Sequence, residues 1–160
     1  MNIEYSVTNE EGIDIVAPLW KKLNEHHGEI SRHFGYDYPD RKWVNRKNEL
    51  LHDADGGKIR IDLARDADNK EVVGYCISSV KRDGLGEIDS IFVESDYRRN
   101  RIGDNLITSA LNRLKEEAAK EIIVQVLVGN EEVHPFYTKY GFFPRTTILM
   151  RINENDTSGS

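Results

Sequence analysis

Three arginines fall within four positions at Arg98-Arg99-Asn100-Arg101, and Ile102-Gly103-Asp104 follow directly. Before them, Glu87 to Val93 reads as a strand. After them, Ile102, Leu106, Ile107, Ala110, Leu111 and Leu114 recur at helical spacing through about Ala119. The segment is therefore strand, basic loop, helix. A helix N-terminus leaves N–H groups unpaired and carries partial positive charge. Gly103 in its first turn would let a ligand approach the backbone closely. Together with the arginines, these are the parts of a pyrophosphate site. No Gly-Lys-Ser/Thr follows, so this is not a P-loop. Only one glycine of the dinucleotide-binding fingerprint could be placed here. A solvated charge run is the plainer account of the arginines taken alone.

The surrounding chain is acidic. Its 160 residues hold 22 Lys plus Arg against 28 Asp plus Glu, a formal charge of −6. That balance argues against a nucleic-acid partner, whose affinity would come from many phosphate contacts. A local basic loop suits a small phosphorylated ligand better. No apolar run approaches the ~18 residues of a membrane span, so no membrane partner is expected. Met1-Asn2-Ile3-Glu4-Tyr5 does not open a signal peptide. One cysteine, Cys76, cannot form an internal disulfide, and a cytoplasmic protein is expected. His26, His27, His33, His52 and His134 show no metal-ligand spacing, so no metal is expected.

The elements that must position the loop follow from hydrophobic period. Ile3–Thr8 is a candidate strand, and Gly12–Gly28 and Arg41–His52 read as amphipathic helices. Three strands with short loops follow at Lys58–Arg65, Val72–Val80 and Glu87–Val93, which implies an antiparallel meander. Beyond the helix after the basic loop, Glu121–Val128 reads as a well-buried strand. Val133–Tyr140 is a short helix with Pro135 in its first turn and Gly141 at its end. Phe142-Phe143 and Thr146–Ile152 supply last-strand material, broken at Pro144. The order β-α-α-β-β-β-α-β-α-β predicts an α+β fold, a mixed α/β sandwich with one βαβ crossover in a mostly antiparallel sheet. Residues 1–152 read as one domain, and the tail 153–160, without an apolar residue, should be loose.

Arg98-Arg99-Asn100-Arg101-Ile102-Gly103 resembles the Arg/Gln-x-x-Gly-x-Gly/Ala motif of the GNAT superfamily of acetyl-CoA-dependent N-acetyltransferases. The first motif glycine is Arg101 here. A second block, Asn130 to Phe142, resembles the family's Asn-x-x-Ala-x-x-Phe-Tyr-x-x-x-Gly-Phe, with Val133 in place of the alanine. The two blocks stand in family order, separated by one helix and one strand, and the resemblance covers Lys58–Ile152. It implies a GNAT-like fold with acetyl-CoA as cosubstrate. The implied cofactor contacts are Ile91, Phe92 and Val93 on the strand, Arg98 to Asp104 in the loop and first helical turn, Asn130, and Tyr137.

The implied reaction needs a base, an oxyanion donor and an acid. An amine with a lysine-like pKa is only about 0.1% neutral near pH 7.4, so a proton must leave before attack. By alternation, Glu87 and Asp89 share a strand face with Ile91. The resemblance favours Asp89 as base, with Glu87 or water as alternatives. It places the oxyanion donor on the backbone of Ile91–Val93 and makes Tyr137 the acid that protonates the thiolate. The acceptor is then a small-molecule or protein amine. Position alone makes His33, Tyr36, Tyr38 and Trp43 candidates for contacting it. Arg101 motivates an alternative, a non-catalytic acyl-CoA-binding module on the same fold. The apolar Phe142, Phe143, Ile148, Leu149 and Met150 exceed what one strand pair obviously buries. Dimerisation through C-terminal strands, common in the resembling family, is therefore expected.

Overall fold

The computed structural model describes residues 1–152; the expected loose tail, 153–160, lies outside the described residues. The chain forms two compact units. One comprises Met1–Leu23 and Lys42–Gln125, the other Asn24–Arg41 and the described residues from Val126.

The first unit is built on a sheet of β1 (Ile3–Thr8), β2 (Lys58–Asp66), β3 (Val72–Val80), β4 (Leu85–Val93) and β5 (Glu121–Val124), in that order. The first four strands pair antiparallel, and β5 is parallel to β4. One face presents Ile59, Ile61, Leu63, Tyr75, Ile77 and Phe92 to Ile13, Val16, Leu19, Trp20, Leu50 and Ala54. These last six come from a 3-10 turn (Glu10–Val16), α1 (Ala17–Ile30) and α2 (Trp43–Ala54). The opposite face packs on α3 (Ile102–Glu116), whose Ile102, Leu106, Ile107, Ala110 and Leu114 are buried. The helical stripe and the strand alternation in the sequence are thus the two sides of one layered core.

Some boundaries differ from expectation for local reasons. The first helix opens as a 3-10 turn and becomes α-helical at Ala17. Pro18, which has no N–H to donate, then falls in the first turn of α1. The strand predicted over Glu121–Val128 ends at Val124, and none of its four residues is fully buried. Its pairing with β4 stops at Ile88↔Val124.

In the second unit, Asn24 Nδ2 donates to the Tyr38 carbonyl at 3.0 Å, and the Arg41 guanidinium lies 4.6 Å from the centre of the Tyr38 ring. Helix α4 (His134–Thr138) is shorter than predicted, and Gly141 follows it at φ +87°, the left-handed region that favours glycine. Residues 142–152 have no regular secondary structure, so the predicted last strand is absent. Phe143, Ile148, Leu149 and Met150 are 73, 77, 92 and 69% exposed. A strand needs a neighbour for its N–H and C=O groups, and no described strand pairs with this segment.

Burial pushes the His27 imidazole pKa from 6.5 down to about 4, and the neighbouring His26 and Arg41 charges act the same way. The folded state therefore disfavours the proton that the unfolded chain accepts. The stability tied to neutral His27 is full above pH 6.5 and is lost as pH falls toward 4. Unfolding free energy should drop over that window by about 2 kcal/mol through this group, discounted for partial exposure. Urea unfolding at a series of pH values measures the slope, and His27→Gln should flatten it.

Candidate active site

The register of β4 shapes the site. Ile77 lies opposite Ser90 but Ser78 lies opposite Ile88, so Asp89 is an extra residue, a β-bulge. Before it, Glu87 shares a face with its partner Ser79; beyond it, Ile91 shares a face with Cys76. Cys76 in turn pairs with Asp62, whose Oδ1 accepts a 2.6 Å hydrogen bond from Ser109 of α3. Ile91 therefore points to the α3 side, and Asp89 stays with Glu87 on the other. This corrects the simple alternation that placed all three on one face. The β4–β5 ladder ends just before the bulge. Among the described residues, Asp89–Val93 has β3 on one edge and no strand on the other. Backbone groups on such an edge can pair with an extended ligand, which suits the roles implied for Ile91, Phe92 and Val93.

The loop after β4 is pinned. Lys22 Nζ reaches Glu94 Oε2 at 2.6 Å, and the Glu94 N–H donates to the Val73 carbonyl at 2.8 Å. Tyr97 OH donates to Asp66 Oδ2 at 2.6 Å. Arg98 is already committed: its Nε donates to the Val93 carbonyl at 3.0 Å and its guanidinium lies 5.5 Å from the centre of the Phe92 ring. Asn100 Nδ2 donates to the Tyr97 and Arg98 carbonyls at 3.0 and 3.2 Å.

The side chains of Arg99 and Arg101 differ. They make no hydrogen bond or ion pair among the described residues. Both have left-handed backbones, φ +68° and +60°. Arg101 is the N-cap of α3 without a side-chain cap bond, so the N–H groups of Ile102, Gly103 and Asp104 open the helix as donors. Left-handed residues in such a turn gather N–H groups into an anion-binding concavity.

Arg101→Gly should raise fold stability by about 0.5 kcal/mol. The left-handed backbone costs about 1–2 kcal/mol for an L side chain, partly offset by glycine's unfolded-state entropy. Chemical denaturation measures this. CoA affinity should fall about tenfold, because a free guanidinium beside the helix N-terminus is lost; unchanged affinity would mean that Arg101 only crowds the loop.

Glu87 and Asp89 sit in a network that the sequence did not disclose. Ser79 Oγ donates to Asp89 Oδ2 at 2.7 Å, and Lys81 Nζ donates to Ser79 Oγ at 2.7 Å and Asp89 Oδ1 at 3.3 Å. Lys81 stands 3.8 Å from Glu87 Oε1, and Gln125 Nε2 donates to Glu87 Oε2 at 3.4 Å. Arg46 of α2 donates to the Asp89 carbonyl at 3.2 Å. Burial raises the pKa of both carboxyls; the Asp89 charge raises Glu87 further, while Ser79 and Lys81 pull Asp89 down. The available signal was period two: Ser79 near the end of β3, and Lys81 just beyond it, fall on the same face as the buried Tyr75 and Ile77.

The remaining candidates divide between the units. Trp43, in the first, donates from Nε1 to Asp14 Oδ1 at 2.8 Å and lies 5.6 Å from the Trp20 ring, so packing accounts for it. In the second, Tyr38 is buried, whereas His33 and Tyr36 are exposed. Asn130 Oδ1 is buried without a hydrogen-bond partner, an acceptor whose desolvation the fold leaves uncompensated. Tyr137 is buried, its ring centroid 5.3 Å from Phe136 and 6.0 Å from Phe142. Within the first unit, the unpaired edge of β4 and the uncapped start of α3 fit the backbone amides and phosphates of acetyl-CoA.

Residues 20–142 match the sequence profile described as the Acetyltransferase (GNAT) family. The chain belongs to the GNAT family. Over 119 residues this family member is 27% identical to the mycothiol acetyltransferase of Corynebacterium glutamicum, covering 64% of this chain and 41% of that protein. A provisionally assigned ribosomal-protein-alanine N-acetyltransferase of Bacillus subtilis is 30% identical over 73 residues, 46% of this chain and 48% of its own. The GNAT chain thus spans less than half the length of either curated relative. Its fold matches that of a provisionally assigned acetyl transferase from Pyrococcus furiosus, with a TM-score of 0.70 at 22% identity, over 94% of this chain and all of the other. No described helix of this GNAT protein is long and apolar enough to cross a membrane.

Proposed function

We propose that the protein transfers the acetyl group of acetyl-CoA to a primary amine of a small molecule or protein, by direct attack in a ternary complex. The observation that best supports this is the bulge at Asp89. The β4–β5 ladder stops beside it at Ile88, which leaves one edge of β4 open just before the strand leads into the arginine loop and the start of α3. In this reading the pantetheine extends along Ile91–Val93, and the pyrophosphate sits on the N–H groups of Arg99 to Asp104. The carboxylate pair takes a proton from the arriving ammonium, directly or through water. The neutral amine then attacks the thioester carbonyl, a C–N bond forms, and a β4 N–H stabilises the oxyanion. The C–S bond breaks, the departing thiolate takes the Tyr137 proton, and the second proton shed by the new amide nitrogen reprotonates the Tyr137 oxygen. Acetylated amine, CoA and one net proton leave.

The acidic balance of the chain favours a cationic acceptor such as a polyamine, an amino-sugar or a lysine side chain. The alanine amine of a ribosomal protein, named for the Bacillus relative, belongs to the same chemical class. The exposed His33 and Tyr36 are the first candidates to contact it, and the packed Tyr38 and Trp43 are the others. A reducing, cytoplasmic setting suits the lone buried Cys76. The deciding assay is CoA release from acetyl-CoA with spermidine, glucosamine, a lysine peptide and an alanine-terminated peptide. Amine-dependent release is expected. Tight acetyl-CoA binding without release for any amine would favour the non-catalytic module. The exposed Ile148, Leu149 and Met150, with Phe143, suit a homodimer contact. Light scattering should give the dimer mass at micromolar concentration, and a monomer mass there would remove the dimer.

A further inference from the structure

Two carboxylates lie side by side on β4, and a single buried ammonium serves both. Lys81, Glu87 and Asp89 side chains are 14, 14 and 5% exposed. Each Asp89 oxygen has a donor, Ser79 on one at 2.7 Å and Lys81 on the other at 3.3 Å. Lys81 also reaches Asp89 through Ser79, since that hydroxyl accepts from Lys81 and donates to Asp89. Among the described residues, Glu87 has only the long contacts, 3.8 Å to Lys81 and 3.4 Å to Gln125.

We propose that Lys81 is a positioning residue for acetyl transfer: it holds Asp89 as a fixed carboxylate and thereby leaves Glu87 as the group that accepts the ammonium's proton. The inference rests on the acetyltransferase reading above and divides the base role that reading leaves shared. Protonating Asp89 would leave Lys81 only the longer 3.8 Å contact to Glu87 and give up its closer partner, and weakening the pairing of a poorly solvated charge is costly. Protonating Glu87 leaves the Lys81–Asp89 pair intact. The proton therefore moves from the substrate nitrogen to a Glu87 oxygen and from there to solvent, while Asp89 stays ionised. The charged groups facing Glu87 are Lys81 just after β3, Asp89 on β4 and Arg46 from α2; Arg46 is itself 3.4 Å from Glu49.

The test uses the full chain and two readouts. Carbon-detected NMR follows the Glu87 and Asp89 carboxyl titrations without any substrate. The acidic limb of kcat/KM is measured with whichever panel amine is acetylated. In the unmodified protein the limb should coincide with the Glu87 titration and lie apart from that of Asp89. Lys81→Met should move the Asp89 titration and the activity limb upward by about one pH unit, since an opposite charge at this range is lost. Lys81→Arg should restore both. A limb that follows Asp89, or one unmoved in Lys81→Met while the NMR titrations shift, would overturn the proposal. The comparison in unmodified protein stands even if Lys81→Met fails to fold. If no amine is acetylated, the acetyltransferase reading fails, and the NMR titrations still report whether Lys81 holds Asp89.

Discussion

Replacing Tyr137 with phenylalanine is expected to lower turnover about 100-fold, toward the lower end of what general acid catalysis supplies. The ring of Tyr137 is buried beside Phe136 and Phe142, and phenylalanine keeps those contacts. Stability and CoA affinity should therefore hold, and the loss should fall on kcat rather than KM, as for a group acting in the transition state. A 100-fold loss corresponds to about 2.7 kcal/mol of barrier, consistent with a thiolate that water can still reach. Pre-steady-state acetyl transfer is the right measurement, because slow product release would mask the chemical step. Turnover within threefold of the unmodified protein, with chemistry limiting, would show that another group protonates the sulfur.

Gly103→Val should weaken CoA binding at least tenfold, about 1.4 kcal/mol, with the fold intact. Gly103 lies in the first turn of α3 and is not among the residues with positive φ. Its backbone conformation is open to any residue, so the glycine there serves room rather than conformation. Valine is no worse a helix former than glycine, which leaves obstruction of the phosphates as the effect measured. Calorimetric titration with CoA, alongside a melting curve, separates binding from folding; equal affinity in both proteins would remove the pyrophosphate from this turn. Arg101 is the converse case. It occupies a left-handed position, φ +60°, where glycine would be at ease, and its free side chain is the compensation on offer.

Much of this arrangement was legible because it is local. The period-two runs gave β2, β3 and β4, the stripe from Ile102 to Leu114 gave α3, and the Arg-rich loop between β4 and α3 pointed to the phosphate site proposed above. What the sequence did not disclose depends on partners. A bulge shifts register by one residue, and nothing in Ile88-Asp89-Ser90 announces it, so Ile91 was placed on the wrong face. The apolar run through Val128 suggested a long buried strand, but the length of a strand is set by its neighbour, and β4 stops pairing at Ile88. Thr146–Ile152 has strand-forming residues and no described partner strand. Lys81 and Ser79 acquire meaning only once β3 is laid against β4, because Asp89 lies across the ladder from them rather than along the chain.

Backbone amide NMR during titration with CoA tests the central claim most directly, since it needs no knowledge of the acceptor. The account predicts saturable shifts at Ile91, Phe92 and Val93 along the open edge of β4 and at Arg99 to Asp104 at the start of α3. Shifts confined elsewhere, for example to the groove formed by Tyr5, Val7, Asn105 and Ser109, or no binding at all, would contradict it.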